Sequence, residues 1–73
     1  MATIEVKTDI TGSVWKVVKG VGDAVAEDEP ILILESMKME IPVTSPESGV
    51  IREILVKEGE TVNDGTVVVR IDV

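Results

Sequence analysis

The chain has 73 residues, a formal net charge of −7 from seven Lys and Arg against 14 Asp and Glu, a single aromatic residue, and neither Cys nor His. A chain this short buries only about 60 to 65 per cent of the surface its unfolded form exposes, which leaves little room for a deep catalytic pocket. Without His or Cys it lacks the usual neutral-pH acid/base, the commonest metal ligand, a thiol nucleophile and disulfides. Its excess of negative charge argues against nucleic acid and anionic membranes and in favour of partners with basic surface.

The opening MATIEVKTDI carries charges and no apolar signal core, and no later stretch approaches the roughly 20 apolar residues of a membrane span. These features lead us to expect one domain over residues 1–73, soluble, cytoplasmic and monomeric. The apolar content is Val, Ile and Leu, and the β-branched residues among them suit half-buried strands. They fall in short runs separated by turn signals at 19–23 (KGVGD), 26–30 (AEDEP), 45–49 (SPESG), 57–60 (KEGE) and 63–65 (NDG). No window shows a 3.6-residue apolar period with caps. The fold class is therefore all-β.

Residues 12–36 and 49–73 superpose without a gap at an offset of 37 (49 minus 12). Gly12 falls on Gly49, Gly22 on Gly59, Val14 on Ile51, Leu32 on Val69 and Leu34 on Ile71. Two copies are too few for a solenoid. Two β-layers burying their apolar faces against each other, as a small sandwich or flattened barrel with a pseudo-twofold axis, satisfy the pattern.

Between the copies lies MKMEIPVTSPES. PILILES, at 30–36, reads as a strand, and just beyond it Met39, Ile41 and Val43 alternate with Glu40, Pro42 and Thr44, which is a second strand with its Pro tolerated at an edge. Two strands in immediate succession require a tight hairpin at or beside Met37 and Lys38. Two-residue hairpins prefer Asn-Gly, Asp-Gly or Gly-X because their turns need positive φ, and Met-Lys supplies none of these. Poor turn chemistry in a chain that otherwise uses turn residues well marks a candidate functional or strained site. Lys38 projects from its tip, and the flanking methionines have no evident core to fill.

ESMKMEIP, at 35–42, resembles the acceptor motif of biotin carboxyl carrier domains, and the similarity extends through GDAV, ILILESMKME, SPESG, KEGETV and DGTVV. A chain of this length resembles most the small bacterial biotin/lipoyl attachment proteins. The resemblance implies two four-stranded antiparallel sheets related by quasi-twofold symmetry, with covalent biotin on Lys38. It implies that Met37 and Met39 influence ligase recognition and carboxylation, and that Glu35 belongs to the recognised approach strand. The implied partners are a biotin protein ligase, a biotin carboxylase that loads CO2 using ATP and bicarbonate, and a carboxyltransferase. The domain itself needs no catalytic group.

Lipoyl motifs typically place Asp before the lysine and Ala after it, where this chain has Met37 and Met39; lipoate on Lys38 is the alternative, and an unmodified adaptor module the third. Ser36 replaces the motif's frequent Ala. Lys19 stands where the second copy has Val56, so irregular pairing is expected near the first glycine turn. The gapless repeat leaves no place for the protruding thumb of some acetyl-CoA carboxylase carriers. Glu27, Asp28 and Glu29 lack the spaced ligands of a calcium loop and read as a solvated acidic turn. Trp15 reads as a half-buried strand side chain.

Overall fold

A computed structural model describes residues 2–73 and consists of eight strands without a helix. They are β1 (Thr3–Lys7), β2 (Gly12–Val17), β3 (Ala24–Val25), β4 (Pro30–Ser36), β5 (Met39–Thr44), β6 (Gly49–Ile54), β7 (Thr61–Val62) and β8 (Val67–Asp72). All pairings are antiparallel, in two four-stranded sheets ordered β1-β8-β6-β3 and β5-β4-β2-β7. The long β4 and β8 lie inside their sheets, while β5, which carries Pro42, is an edge where the missing N–H costs no ladder bond.

The internal symmetry is wider than the two glycine-led copies. At the same offset of 37, β5 is the counterpart of β1, with Ile4 on Ile41, Val6 on Val43 and the buried Thr8 on the buried Ser45. The segment after Lys38 is thus the first strand of the second half. The pseudo-twofold carries one sheet order onto the other, and each half lends a short strand to the other's sheet, β7 to β2 and β3 to β6.

Bulges give this small barrel its core. The ladders slip at Ile31 in β4 and at its counterpart Val68 in β8, so that two consecutive residues, Ile31 and Leu32 or Val68 and Val69, are all fully buried. A regular strand would send one of each pair to solvent. Matching bulges occur at Trp15 in β2 and Arg52 in β6. Leu32, Leu34, Val69 and Ile71 join Val14, Ile51, Val25 and Val62 in a single apolar cluster.

The turns repeat as well. Gly22 and Gly59 both have positive φ, and each donates its N–H to a strand of the opposite half, Gly22 to Ile51 O at 2.8 Å and Gly59 to Val14 O at 2.7 Å. Lys19 does not break the ladder: Val18 N–H bonds Ile31 O at 2.8 Å just as Leu55 N–H bonds Val68 O. The expected irregularity is one added bond, Lys19 N–H also donating to Ile31 O at 3.1 Å, together with a change of side chain, since Val56 is buried whereas Lys19 pairs with Glu29 at 3.2 Å.

Candidate functional site

The β4–β5 hairpin closes on the pair Ser36 and Met39, leaving Met37 and Lys38 as a two-residue turn. Their φ angles are 53° and 64°, so both central residues occupy the left-handed region that primed hairpin turns demand. Neither residue is glycine, asparagine or aspartate. A side chain in that region costs of order 1 kcal/mol or more, and such residues persist only where surrounding structure imposes them. Here the imposing structure is the long β4–β5 ladder, which runs from Pro30↔Thr44 to Ser36↔Met39.

The approach strand is also braced from below. Gly12 of β2 lies so near β4 that a Cβ on it would stand 2.7 Å from the Glu35 carbonyl oxygen. The Ser36 hydroxyl donates to Thr11 O at 3.0 Å, which gives the serine in place of alanine a local role. Gly12 and Thr11 were not singled out as site residues; the signal available was the alignment of Gly12 with Gly49, whose Cβ would meet the equivalent Asp72 oxygen.

Met37 is 92% exposed and Met39 61% exposed, so neither fills the core. Lys38 is exposed, and among the described residues no ion pair involves it. The tip thus offers a primary amine between two apolar, polarisable side chains, at the end of a hairpin whose pairing runs up to the turn. Glu35, two residues before the turn, is exposed and stands opposite Glu40 in the ladder.

The remaining candidates lie elsewhere. Glu29 accepts from its own turn's Ala26 N–H at 3.0 Å and pairs with Lys19; that backbone hydrogen bond first, and Lys19 second, hold its carboxyl below the ordinary range. Among the described residues no group of acidic side chains is arranged to hold a metal ion. Trp15 is half exposed at its bulge. A cleft of about 260 Å³ follows the seam between β1 and β5, lined by Val6, Leu34, Ile41 and Val43 among others, and includes none of the tip residues.

The sequence profile of the biotin/lipoyl family, described as "Biotin-requiring enzyme", matches residues 3–71. The chain belongs to the biotin/lipoyl attachment family. It is 41% identical over 66 residues to the biotin/lipoyl attachment protein of Bacillus subtilis, covering 90% of each. It is 34% identical over 64 residues to a biotinylated-protein homologue of Mycobacterium leprae, covering 88% of this chain and 90% of that one. Among solved structures, the urea carboxylase of Kluyveromyces lactis superposes with a TM-score of 0.93 at 35% identity, over 99% of this chain and 6% of that one. The architecture expected of the biotin/lipoyl attachment family, two four-stranded antiparallel sheets under quasi-twofold symmetry, is the one observed.

Proposed function

We propose that this chain is a biotin carrier whose Lys38 is the acceptor. The observation that carries this reading is the left-handed Met37-Lys38 turn, which spends conformational energy to present one amine, flanked by two exposed methionines, at the end of a hairpin paired up to Ser36 and Met39. An exposed lysine is protonated at neutral pH and a poor nucleophile, so a ligase must take its proton and supply an activated acyl donor. The Nζ of Lys38 then attacks the acyl carbon, the activating group departs, and an amide forms. Biotin, when bound, carries a carboxyl group on a ring nitrogen between a biotin carboxylase and a carboxyltransferase. The chain's own residues hold the attachment point clear of the core and replace free encounter by tethering, which can raise effective concentration to about the millimolar range.

Biotin is favoured over lipoate by Met37 and Met39 and by the relative from Mycobacterium leprae that is named as a biotinylated-protein homologue. The test is in vitro acylation with ATP, using purified biotin protein ligase and biotin in one arm and a lipoyl ligase with lipoate in the other, read by intact mass and peptide mapping. We expect one biotinyl group on Lys38, none on the Lys38→Arg variant, and slower or no lipoylation. Faster lipoylation would replace biotin in this reading, and refusal of both groups would leave an adaptor.

A further inference from the structure

The pseudo-twofold places the outer faces of the two sheets in register, so each serves as a control for the other. On the face of β1-β8-β6-β3, Arg70 lies between Glu5 and Glu53 and pairs with both, at 3.4 and 3.1 Å. In the next row Asp72 accepts from the Thr3 hydroxyl at 2.8 Å and pairs with Arg52 at 3.3 Å. This face is a closed ionic lattice.

The equivalent positions on β5-β4-β2-β7 are occupied otherwise. Ile33 replaces Arg70, Pro42 replaces Glu5, Lys16 replaces Glu53 and Trp15 replaces Arg52. Pro42 and Trp15 are exposed and Ile33 is partly so. In the next row Glu35 stands opposite Glu40, and among the described residues neither has a cation. Like charges directly opposite on a ladder are destabilising. Single exposed apolar residues need no explanation, but three of them, Trp15, Ile33 and Pro42, together beside Lys16, and an unrelieved acidic row, both where the sister face is ionically satisfied, lie on the one face that leads to Met37 and Lys38.

Resting on the carrier reading above, we infer that this face is the docking surface for the acylating ligase, whose complementary surface would offer an apolar recess for Trp15, Ile33 and Pro42 and basic side chains for Glu35 and Glu40. From Ile33 to Lys38 is five residues, about 16 Å of strand, well within one protein footprint. The ligase is the partner that needs such a face. A carboxylase meets a carrier already marked by its biotin, whereas a ligase must choose Lys38 from the other lysines using the carrier's surface alone. A second copy is the poorer occupant, because it offers no basic surface to Glu35 and Glu40 and would bring together two chains each of net charge −7. An apolar centre with a charged rim and an aromatic anchor is the anatomy of a protein interface.

The test exchanges one face for the other. Trp15→Arg/Lys16→Glu/Ile33→Arg/Pro42→Glu installs the ionic lattice that the sister sheet already accommodates, and Arg52→Ala/Arg70→Ala is the control on that sister face. Biotinylation kcat/KM with purified ligase is measured beside thermal melting and sedimentation. The exchange should lower kcat/KM about tenfold or more, chiefly through KM, while Lys38 still becomes labelled on long incubation and the control stays within twofold. Glu35→Gln/Glu40→Gln should lose rate and weaken its salt dependence. If the exchanged chain fails to fold, Trp15→Ala alone, at a half-exposed site, should still raise KM severalfold. A folded exchange variant, or that single variant, labelled within twofold of wild type overturns the docking surface and leaves the carrier reading intact. So does a wild-type dimer that the exchange dissociates, or a loss confined to turnover of the already biotinylated protein by a carboxylase. Failure of the wild type to be labelled at all would overturn the carrier reading itself.

Discussion

Met37 and Lys38 hold positive φ with side chains ill suited to it, and the natural replacement is Asn-Gly, whose residues enter that region at little cost. Met37→Asn/Lys38→Gly should therefore raise the free energy of unfolding by about 1 kcal/mol or more while abolishing acylation. Urea denaturation beside a biotinylation assay checks it, and an unchanged or lowered midpoint would show that the turn carries no strain. This residue-scale feature was legible in the sequence, since turn chemistry alone singled out Met37 and Lys38. The unrelieved pair of Glu35 and Glu40 was not, because it depends on ladder register, which alternation alone does not fix. Trp15 was expected to be half-buried, and half its surface is indeed covered. That it sits at a bulge on the face leading to the tip could not be read from a single aromatic in an apolar run.

At the scale of elements, strand existence and the two-halved architecture followed from β-branched runs and the offset of 37. The equivalence of β1 and β5 was missed because Pro42 stands where Glu5 does and the acceptor motif drew the segment apart; Ile4/Ile41 and Val6/Val43 carried the signal at the same offset. The bulges at Ile31 and Val68 were invisible, since a run of apolar residues reads alike whether successive side chains alternate or both turn inward. Close strand approach at Gly12 and Gly49 predicts that Gly12→Ala and Gly49→Ala each cost about 2 to 3 kcal/mol, because the added Cβ meets a backbone oxygen that cannot yield without moving the strand. Gly20→Ala, whose Cβ would find only the Asp23 carboxylate at 3.5 Å, should stay within about 0.5 kcal/mol. Chemical denaturation of the three variants distinguishes them; equal effects would contradict the bracing role given to Gly12.

Over the whole molecule, stability resides in the cluster shared by both sheets, and the proposed acceptor lies in a tip outside it. Leu34→Ala, which empties a fully buried site in that cluster, should cost about 2 to 5 kcal/mol, a large fraction of what so small a fold possesses. Thermal melting should show its midpoint falling steeply while that of Lys38→Ala barely moves. Acid should act through two partly exposed carboxyls. Glu29 is held below its ordinary value near 4.5 by the Ala26 N–H and Lys19, and Asp72 below 3.8 by the Thr3 hydroxyl and Arg52. Groups so lowered add stability that is complete above those ordinary values and is lost as pH falls through the folded ones. Bulk self-repulsion relaxes over the same range, so the comparison is between wild type and Glu29→Gln. The variant's melting deficit at pH 6 should be small, as both partners still reach solvent, and should shrink below about pH 4.5. A deficit that grows on acidification would reverse the assigned sign.

The division between scaffold and tip rests most directly on where the cofactor is joined. Protein isolated from its own host under biotin-replete growth, weighed intact and then mapped by peptide fragmentation, should carry a single biotinyl increment, placed wholly on Lys38. An increment on Lys7, Lys16, Lys19 or Lys57, or a chain that remains entirely unmodified, would contradict the account.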